Sequence, residues 1–234
     1  MKIALVGYGK MGKAIEKIAV AQGHIITAKL EEKPAQKNIN GADVAIEFTT
    51  PASAFENVKA CLEIGLPVVC GTTAWLDKLP ETLEICRKLN GAFLYASNYS
   101  LGVNLFFEIN KRVAEIMQKY PEYSVRLEEI HHTEKKDAPS GTAITLAESI
   151  LPIYGFDDWK LSEKTEGNLL GIEAKRIENV AGTHLTLYSS EVDEIEIKHT
   201  AHSRKGFAMG ALLAAKWLIG KHGVFSMKDV LGFN

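Results

Sequence analysis

Short apolar runs alternate with helical patterns along the first hundred residues. Ile3 to Val6 is an apolar run typical of a buried parallel strand, and the apolar positions from Met11 to Ala19 recur at helical spacing. Further strands are predicted at 25–30, 44–48, 66–70 and 93–96. Helices are predicted to begin near Pro51 and Leu79. Strands separated by helices in this way predict an α/β fold with a Rossmann-type doubly wound parallel sheet.

The second half of the chain has a different order of predicted helices and strands. A helix is predicted over 103–118, and alternation from Tyr123 to Leu127 predicts a half-buried strand. Three strand-like stretches then follow without intervening helices, at 171–177, 184–190 and 194–198. They predict a second α+β domain built on a mixed or antiparallel sheet with one face buried, and the free face is expected to meet another subunit.

The remaining segments complete the predicted domain organisation. The stretch 152–168 is predicted to be irregular, 206–220 to be a helix, and Ser226 to cap a short helix ending at Leu231. We expect this C-terminal part to pack on the first domain. Residues 1–100 with 204–234 are therefore predicted to form a dinucleotide-binding domain, and residues 101–203 a substrate-binding and oligomerisation domain.

Composition narrows the class of protein. The chain has 234 residues and a net charge of −2, so no global basic field favours nucleic acid. Cys61, Cys70 and Cys86 lack metal-ligand spacing and suggest reduced thiols, and no residue is assigned to a metal. The N-terminal apolar run is too short for a secretory signal, and 207–220 is too short for a membrane span. We expect a cytoplasmic protein with neither a nucleic-acid nor a membrane partner.

A glycine motif follows the first strand. It reads Gly7-Tyr8-Gly9-Lys10-Met11-Gly12, which is G-x-G-x-x-G between a strand and a helix. The first glycine makes the turn, the second admits a pyrophosphate, and the third lets the helix pack on the strand. Glu31 ends the next strand, about 20 residues on, where an acidic residue holds the adenosine ribose. Glu32 adds a charge that would repel a 2′-phosphate, so NADH is predicted to be favoured, with NADPH possible.

Small polar turns follow three later strands of the first half. They are Thr49-Thr50-Pro51, Gly71-Thr72-Thr73 and Ser97-Asn98-Tyr99-Ser100. The carboxyl ends of parallel strands share one edge of a sheet, which is where a dinucleotide lies. Any one of these could be an ordinary turn, but three in register with the glycine motif are predicted to contact the cofactor.

The stretch 127–148 concentrates the ionisable groups of the second half. His131, His132, Lys135 and Lys136 fall within six residues. After them, Pro139 suits a helix entry and Ser140 a helix N-cap. The N–H groups of Gly141 and Thr142 would then offer an anion site. These features predict a small substrate that carries carboxylates or phosphates.

These motifs together resemble the 4-hydroxy-tetrahydrodipicolinate reductase (dihydrodipicolinate reductase) family. The most specific pieces are Glu129-Ile130-His131-His132, Lys135, and Asp137-Ala138-Pro139-Ser140-Gly141-Thr142-Ala143. Supporting pieces are Phe48-Thr49-Thr50-Pro51 and Asn98-Tyr99-Ser100-Leu101-Gly102-Val103-Asn104. The chain departs from the family pattern in a shorter glycine loop, in Thr133 and Glu134, and in Glu32 where arginine is frequent.

The resemblance implies an activity and residue roles. The activity is reduction of 4-hydroxy-tetrahydrodipicolinate to tetrahydrodipicolinate with NAD(P)H, in lysine and diaminopimelate biosynthesis. His131 would be the catalytic histidine and Lys135 the proton donor. The substrate dicarboxylate would contact His132, Ser140, Gly141 and Thr142, and the cofactor would contact Gly7 to Gly12, Glu31, Gly71 to Thr73 and Ala96 to Tyr99. The family is typically a homotetramer assembled through the sheet of the second domain.

Two other functions fit the first half of the chain. An acylating semialdehyde dehydrogenase would need a thiolate, and Cys70 beside a cofactor turn is the candidate, although no activating base is evident near it. An NADH-sensing module would need only the glycine motif, and it would leave the His/Lys loop without a purpose. Within that loop, Lys136 is the competitor of Lys135 for the role of proton donor.

Overall fold

The computed structural model describes residues 1–203 and 205–233. The chain divides into two compact units, Met1–Leu101 with Lys205–Asn234, and Gly102–Arg204. Arg204 and Asn234, which open and close the predicted C-terminal part of the first domain, lie outside the described residues. Among the described residues, no helix is long and apolar enough to cross a membrane.

The first unit begins with alternating strands and helices. In chain order they are β1 (Lys2–Val6), α1 (Lys10–Ala21), β2 (Ile25–Leu30), β3 (Val44–Glu47), α2 (Pro51–Glu63), β4 (Val68–Cys70), α3 (Leu79–Lys88) and β5 (Ala92–Tyr95). The second unit follows with α4 (Leu101–Met117), β6 (Ser124–His131), α5 (Gly141–Tyr154), β7 (Asp158–Leu161), β8 (Leu169–Arg176), β9 (Thr183–Ser189) and β10 (Glu194–Thr200). The chain returns to the first unit with α6 (Lys205–Leu218), β11 (Gly223–Phe225) and α7 (Met227–Leu231).

A parallel sheet forms the centre of the first unit. Within the described residues, six strands pair in the order β11-β5-β4-β3-β1-β2. Its central strands are buried on both faces, which explains their uninterrupted apolar sequences. Ile15 and Ala215 contribute to the apolar core on one face, from α1 and α6, and Val58 and Cys86 to the core on the other, from α2 and α3.

A mixed sheet forms the centre of the second unit. Its strands pair in the order β10-β9-β6-β8-β7. The β9 strand is antiparallel to both neighbours, whereas β8 is parallel to β6 and β7. Leu127 and Ile172 pack from the sheet against Leu146 and Ile150 of α5. One face of this sheet is therefore buried, as the alternating pattern predicts.

The predicted fold class is confirmed, and two segments differ from prediction. The stretch 152–168 is not irregular throughout, because Pro152 lies in the last turn of α5 and β7 forms an edge strand beside β8. The helix ends soon after Pro152, at a left-handed Gly155, so the missing N–H interrupts little of it. The short strand β11 was also missed, since three residues give no usable periodicity. Ser226 caps α7 as predicted.

Candidate functional site

The glycine motif of the first unit has the geometry that a dinucleotide site requires. Gly7 adopts φ +91°, and a Cβ there would lie 2.1 Å from the carbonyl oxygen of Phe48. A Cβ on Gly12 would lie 2.4 Å from the carbonyl oxygen of Gly7. Gly9 has open space at its Cβ position and caps α1 without a side-chain hydrogen bond. The first turn of α1 can therefore receive a pyrophosphate.

Of the other side chains in the motif, two make contacts within the protein and one is exposed. The Tyr8 hydroxyl donates a hydrogen bond to Glu16 of α1, and the Lys29 ammonium lies 4.7 Å from the centre of the Tyr8 ring. Met11 packs partly buried against the core, whereas Lys10 is exposed. Tyr8 and Met11 thus shape the loop, and Lys10 is the side chain of the motif that remains open to an anion.

A cavity of about 620 Å³ lies between the glycine motif and the ends of neighbouring strands. Its lining includes Gly7, Gly9, Glu31 and Glu32. Lys33 also lines the cavity, but its ammonium is paired with a carboxylate oxygen of Glu56 at 2.9 Å. The predicted ribose site is therefore acidic, and the lysine that lines this cavity is already paired with a carboxylate.

The predicted cofactor turns lie together at the carboxyl edge of the parallel sheet. The backbone N–H of Thr49 donates to the hydroxyl of Thr72 at 2.8 Å. The rings of Phe48 and Tyr99 are 5.8 Å apart between centroids. Among the predicted contacts at this edge, Gly71 and Ala96 are partly buried, Asn98 is buried, and Thr73 and Ser97 are exposed.

Tyr99 has a structural place in this edge. Its side chain is fully buried, and its hydroxyl donates to the carbonyl oxygen of Cys70 at 2.7 Å. Burial raises the pKa of the Tyr99 hydroxyl well above its usual value. The phenol is therefore committed to the core, and only the backbone of Tyr99 is available to a cofactor.

Cys70 has the environment of a core thiol. It is fully buried and donates its S–H to a carboxylate oxygen of Glu47 at 3.0 Å. Burial, and then the charge of Glu47, raise the pKa of Cys70 well above its usual value. A nucleophilic cysteine needs the opposite shift, so the environment of Cys70 counts against the semialdehyde dehydrogenase alternative.

The predicted catalytic residues of the second unit lie in a buried polar cluster. His131 ends β6 and is 8% exposed, and Glu129, two residues earlier on the same face, is fully buried. Nδ1 of His131 lies 3.4 Å from Oε2 of Glu129. The His184 ring from β9 lies 5.0 Å from the His131 ring, edge to face.

Arg176 holds the loop after β6 in place. Its guanidinium donates to Oε1 of Glu129 at 3.0 Å and to the carbonyl oxygens of Lys135 and Asp137 at 3.4 and 2.6 Å. The strand register places Arg176 opposite His131, at the end of β8. One side chain therefore ties the loop to two strands and balances the buried charge of Glu129.

Burial governs the protonation of both histidines. It lowers the pKa of His184 to about 3, with the charge of a protonated His131 acting in the same direction. It also lowers the pKa of His131, although the negative charge of Glu129 opposes this effect. Both rings are neutral at neutral pH, and the charge of Glu129, followed by that of Asp137, favours protonation of His131.

Lys135 and Lys136 differ in placement. The Lys135 ammonium donates to both carboxylate oxygens of Asp137, at 2.8 and 2.9 Å, and its side chain is 22% exposed. Lys136 is exposed. Although burial acts to raise it, the pKa of Asp137 is held below its usual value by the hydrogen bond and charge of Lys135. Lys135 is therefore the lysine that belongs to the cluster.

The predicted anion site lies at the start of α5, directly after this loop in the sequence. Ser140 accepts the N–H of Ala143 at 3.2 Å and so caps α5, as predicted. Gly141 is exposed, with open space where a Cβ would be, and Thr142 is partly buried. The partly buried His132 lies in the preceding turn, where its carbonyl oxygen accepts the N–H of Lys135.

Three side chains of the cluster have metal-ligand chemistry. Glu129, His131 and His184 each offer a ligand atom, and these atoms lie within 4.8 Å of one another. Such donors suit Zn²⁺, but Oε1 of Glu129 already accepts from Arg176, and Oε2 accepts the N–H of Ser140 at 3.0 Å. An ion there would have to displace these bonds, so we interpret the group as a hydrogen-bonded cluster.

Sequence reasoning missed part of this cluster. The sequence motif predicts no role for Glu129, although its spacing from His131 places both side chains on one strand face. Arg176 and His184 carry no local signal, because only the pairing of β6 with β8 and β9 brings them to Glu129 and His131.

Comparisons with known proteins agree along the whole chain. The family model for the N-terminus of dihydrodipicolinate reductase matches residues 1–99, and that for its C-terminus matches residues 102–231. A 4-hydroxy-tetrahydrodipicolinate reductase from Christiangramia forsetii is 51% identical over 234 residues, covering 99% of this chain and 98% of that protein. Another, from Methanoculleus marisnigri, is 34% identical over 213 residues, covering 87% and 83%.

A solved structure supports the fold independently. A dipicolinate-bound dihydrodipicolinate reductase from Paenisporosarcina sp. has a TM-score of 0.77 to this chain, with 20% identity and 98% coverage of each. The family models and the relative from Christiangramia forsetii confirm the resemblance seen in the sequence. With both halves matched by the family models and a relative above half identity over nearly its whole length, the chain belongs to the dihydrodipicolinate reductase family.

Proposed function

We propose that the protein is an oxidoreductase that reduces 4-hydroxy-tetrahydrodipicolinate to tetrahydrodipicolinate with a reduced pyridine nucleotide, in lysine and diaminopimelate biosynthesis. The observation that carries the proposal is the cluster of the second unit. Glu129 brings His131 and the capped start of α5 at Ser140 together there, and Arg176 joins Glu129 to the backbone of Lys135. The relatives named above carry this activity in their names.

For this reaction, the second unit must bind a substrate that carries two negative charges, and it must donate a proton. A reduced nicotinamide supplies the hydride. The net change adds this hydride and one proton to the conjugated ring, and one water is lost. His132, Ser140, Gly141 and Thr142 bind the carboxylates in this proposal, since a capped helix start offers backbone N–H groups to an anion. His131 contacts the substrate through its ring.

Lys135 is the proton donor in this proposal. Its Nζ carries an N–H proton to the ring carbon that becomes negative when hydride adds to the conjugated system. The carboxylate of Asp137, 2.8 Å away, holds the ammonium in place with two hydrogen bonds. The third N–H of the ammonium is then left to point at the substrate. Lys136, which is exposed, has no comparable support among the contacts described.

The first unit holds the cofactor, and we propose that NADH is favoured over NADPH. The contacts are those predicted from sequence, with Gly9 and Lys10 at the pyrophosphate and Glu31 at the ribose. Glu32 lines the same cavity, and Lys33 is paired with Glu56, so a 2′-phosphate would meet uncompensated negative charge. Tyr99 contributes through its backbone.

We further propose a homotetramer assembled through the second sheet, in the cytoplasm. The sheet face opposite α5 carries a network of alternating charges. Lys175 lies 2.8 Å from Glu128 and 3.1 Å from Glu173, and Arg126 lies 3.3 Å from Glu173. Leu187 shares this face and is only 5% exposed. Because its charges are already paired, this face can be covered by another subunit without leaving an unpaired buried charge.

Steady-state turnover tests the proposed function. Enzymatically generated 4-hydroxy-tetrahydrodipicolinate is added to the protein with NADH, and both NADH oxidation and the tetrahydrodipicolinate formed are measured. We expect one product molecule for each NADH oxidised. NADH binding without turnover would contradict the proposal and would favour the NADH-sensing alternative.

A further inference from the structure

Glu129 is a fully buried carboxylate at the centre of the second unit's cluster. It belongs to β6, on the face that carries His131, and its register partner on β9 is His184. A buried carboxylate is costly unless it is paired and hydrogen-bonded. The placement of Glu129 therefore needs contacts that offset this cost.

The two carboxylate oxygens of Glu129 have different partners. Oε1 accepts from the guanidinium of Arg176 at 3.0 Å. Oε2 accepts the backbone N–H of Ser140 at 3.0 Å and lies 3.4 Å from Nδ1 of His131. The arginine thus neutralises the charge from one side, and the other oxygen is left for the start of α5 and for the histidine.

The two ring nitrogens of His131 also have different surroundings. Nδ1 is enclosed, and among the described residues Oε2 of Glu129 is the acceptor that faces it. Nε2 faces Gly182, where an added Cβ would lie 3.2 Å away. Gly182 has φ +156°, and its missing side chain leaves the Nε2 side of the ring uncovered.

We propose that Glu129 is a positioning residue that holds His131 through Nδ1–H, so that Nε2 is the nitrogen presented to the substrate. This inference rests on the proposed function, which places His131 in contact with substrate. The carboxylate fixes the tautomer and the ring plane, and it supplies a counter-charge when a substrate carboxylate draws a proton onto the ring. At 3.4 Å this contact is too long to be a hydrogen bond in the structure, and we expect it to shorten to one when substrate is bound.

Substitution of Glu129 by glutamine tests the proposal. We expect Glu129→Gln to lower kcat by about 10- to 100-fold, as loss of a histidine's orienting partner commonly does. The affinity for NADH should stay unchanged, because the glycine motif belongs to the first unit. The matched control is Glu128→Gln, which removes the neighbouring carboxylate that pairs with Lys175 on the other face of β6. It should keep wild-type kcat.

A double-mutant cycle separates positioning from mere structure. In a His131→Ala background, Glu129→Gln should change kcat by less than about twofold, because the residue through which Glu129 acts is gone. An equal loss in both backgrounds, or no loss in either, would overturn the proposal. A wild-type protein without turnover would instead contradict the proposed function.

Nitrogen-15 NMR of the wild-type ring gives a second readout that needs neither turnover nor a variant that folds. We expect the shifts of neutral His131 to show a protonated Nδ1 and an unprotonated Nε2. The opposite tautomer would overturn the proposal even if Glu129→Gln failed to fold.

Discussion

The two units build their sites in opposite ways. The first unit forms its cofactor site from consecutive residues, where Gly7 and Gly12 allow a tight backbone that leaves Gly9 open. The second unit forms its cluster from residues on three strands, which Glu129 and Arg176 bind together. The first arrangement depends on absent side chains, whereas the second depends on buried charges that neutralise each other. Substitutions should therefore affect the two units in different ways.

The two units should differ most in how much stability is lost when one partner of an ion pair is removed. Arg176→Met should lower the free energy of unfolding by about 3–5 kcal/mol, since it leaves the fully buried Glu129 without its counter-charge. The matched deletion in the first unit, Lys33→Met, should cost far less, because Lys33 and Glu56 are each about half exposed. Urea denaturation of both variants measures the contrast, and equal losses would contradict it.

The loss of stability at acid pH should also arise from the second unit. His184 is neutral in the folded protein, with a pKa of about 3, and it gains a proton on unfolding below its ordinary value of about 6.5. Stability should therefore fall as the pH drops from about 6.5 towards 3. His184→Asn should remove up to about 1.4 kcal/mol per pH unit from this slope.

Unfolding free energies at several pH values check this expectation. The control is His222→Asn, which removes an exposed histidine of the first unit and should leave the slope in place. An unchanged slope in His184→Asn would show that the buried ring is not the group that takes up the proton.

Cofactor choice should depend on the first unit alone. Glu32→Lys should raise the ratio of kcat/KM for NADPH to that for NADH by about tenfold, which corresponds to about 1.4 kcal/mol. The reason is that a cation replaces an anion in the cavity beside Glu31. Glu84→Lys, on the exposed face of α3, is the control. A wild-type protein that already uses NADPH better would contradict the proposed preference.

The smallest effects should come from two glycines with free space at Cβ. Gly9→Ala should weaken NADH binding, and Gly141→Ala should weaken binding of pyridine-2,6-dicarboxylate, each by up to about tenfold. Neither should lower the melting temperature, because no atom outside the adjacent backbone lies within 4 Å of either added Cβ. Calorimetric titration of each variant with both ligands measures the effects. If either variant lost affinity for both ligands, the two sites would not be independent and the expectation would be wrong.

The same contrast explains what the sequence could predict. The strand–helix alternation, the glycine motif and the Ser140 cap are local patterns, and the structure bears out their placement. Arg176 and His184 join the cluster only through strand pairing, which no local pattern specifies. Tyr99 was predicted from its place in a turn, but tertiary packing takes its ring into the core. The short strands β7 and β11 depend on their neighbours rather than on periodicity.

The central claim is that the second unit supplies the proton through Lys135. The most direct test is single-turnover oxidation of bound NADH on mixing with 4-hydroxy-tetrahydrodipicolinate, in wild type, Lys135→Ala and Lys136→Ala. We expect Lys135→Ala to slow oxidation by about 10²–10⁴-fold with NADH affinity intact, and Lys136→Ala to react like wild type. Near-normal oxidation in a folded Lys135→Ala variant would contradict the claim.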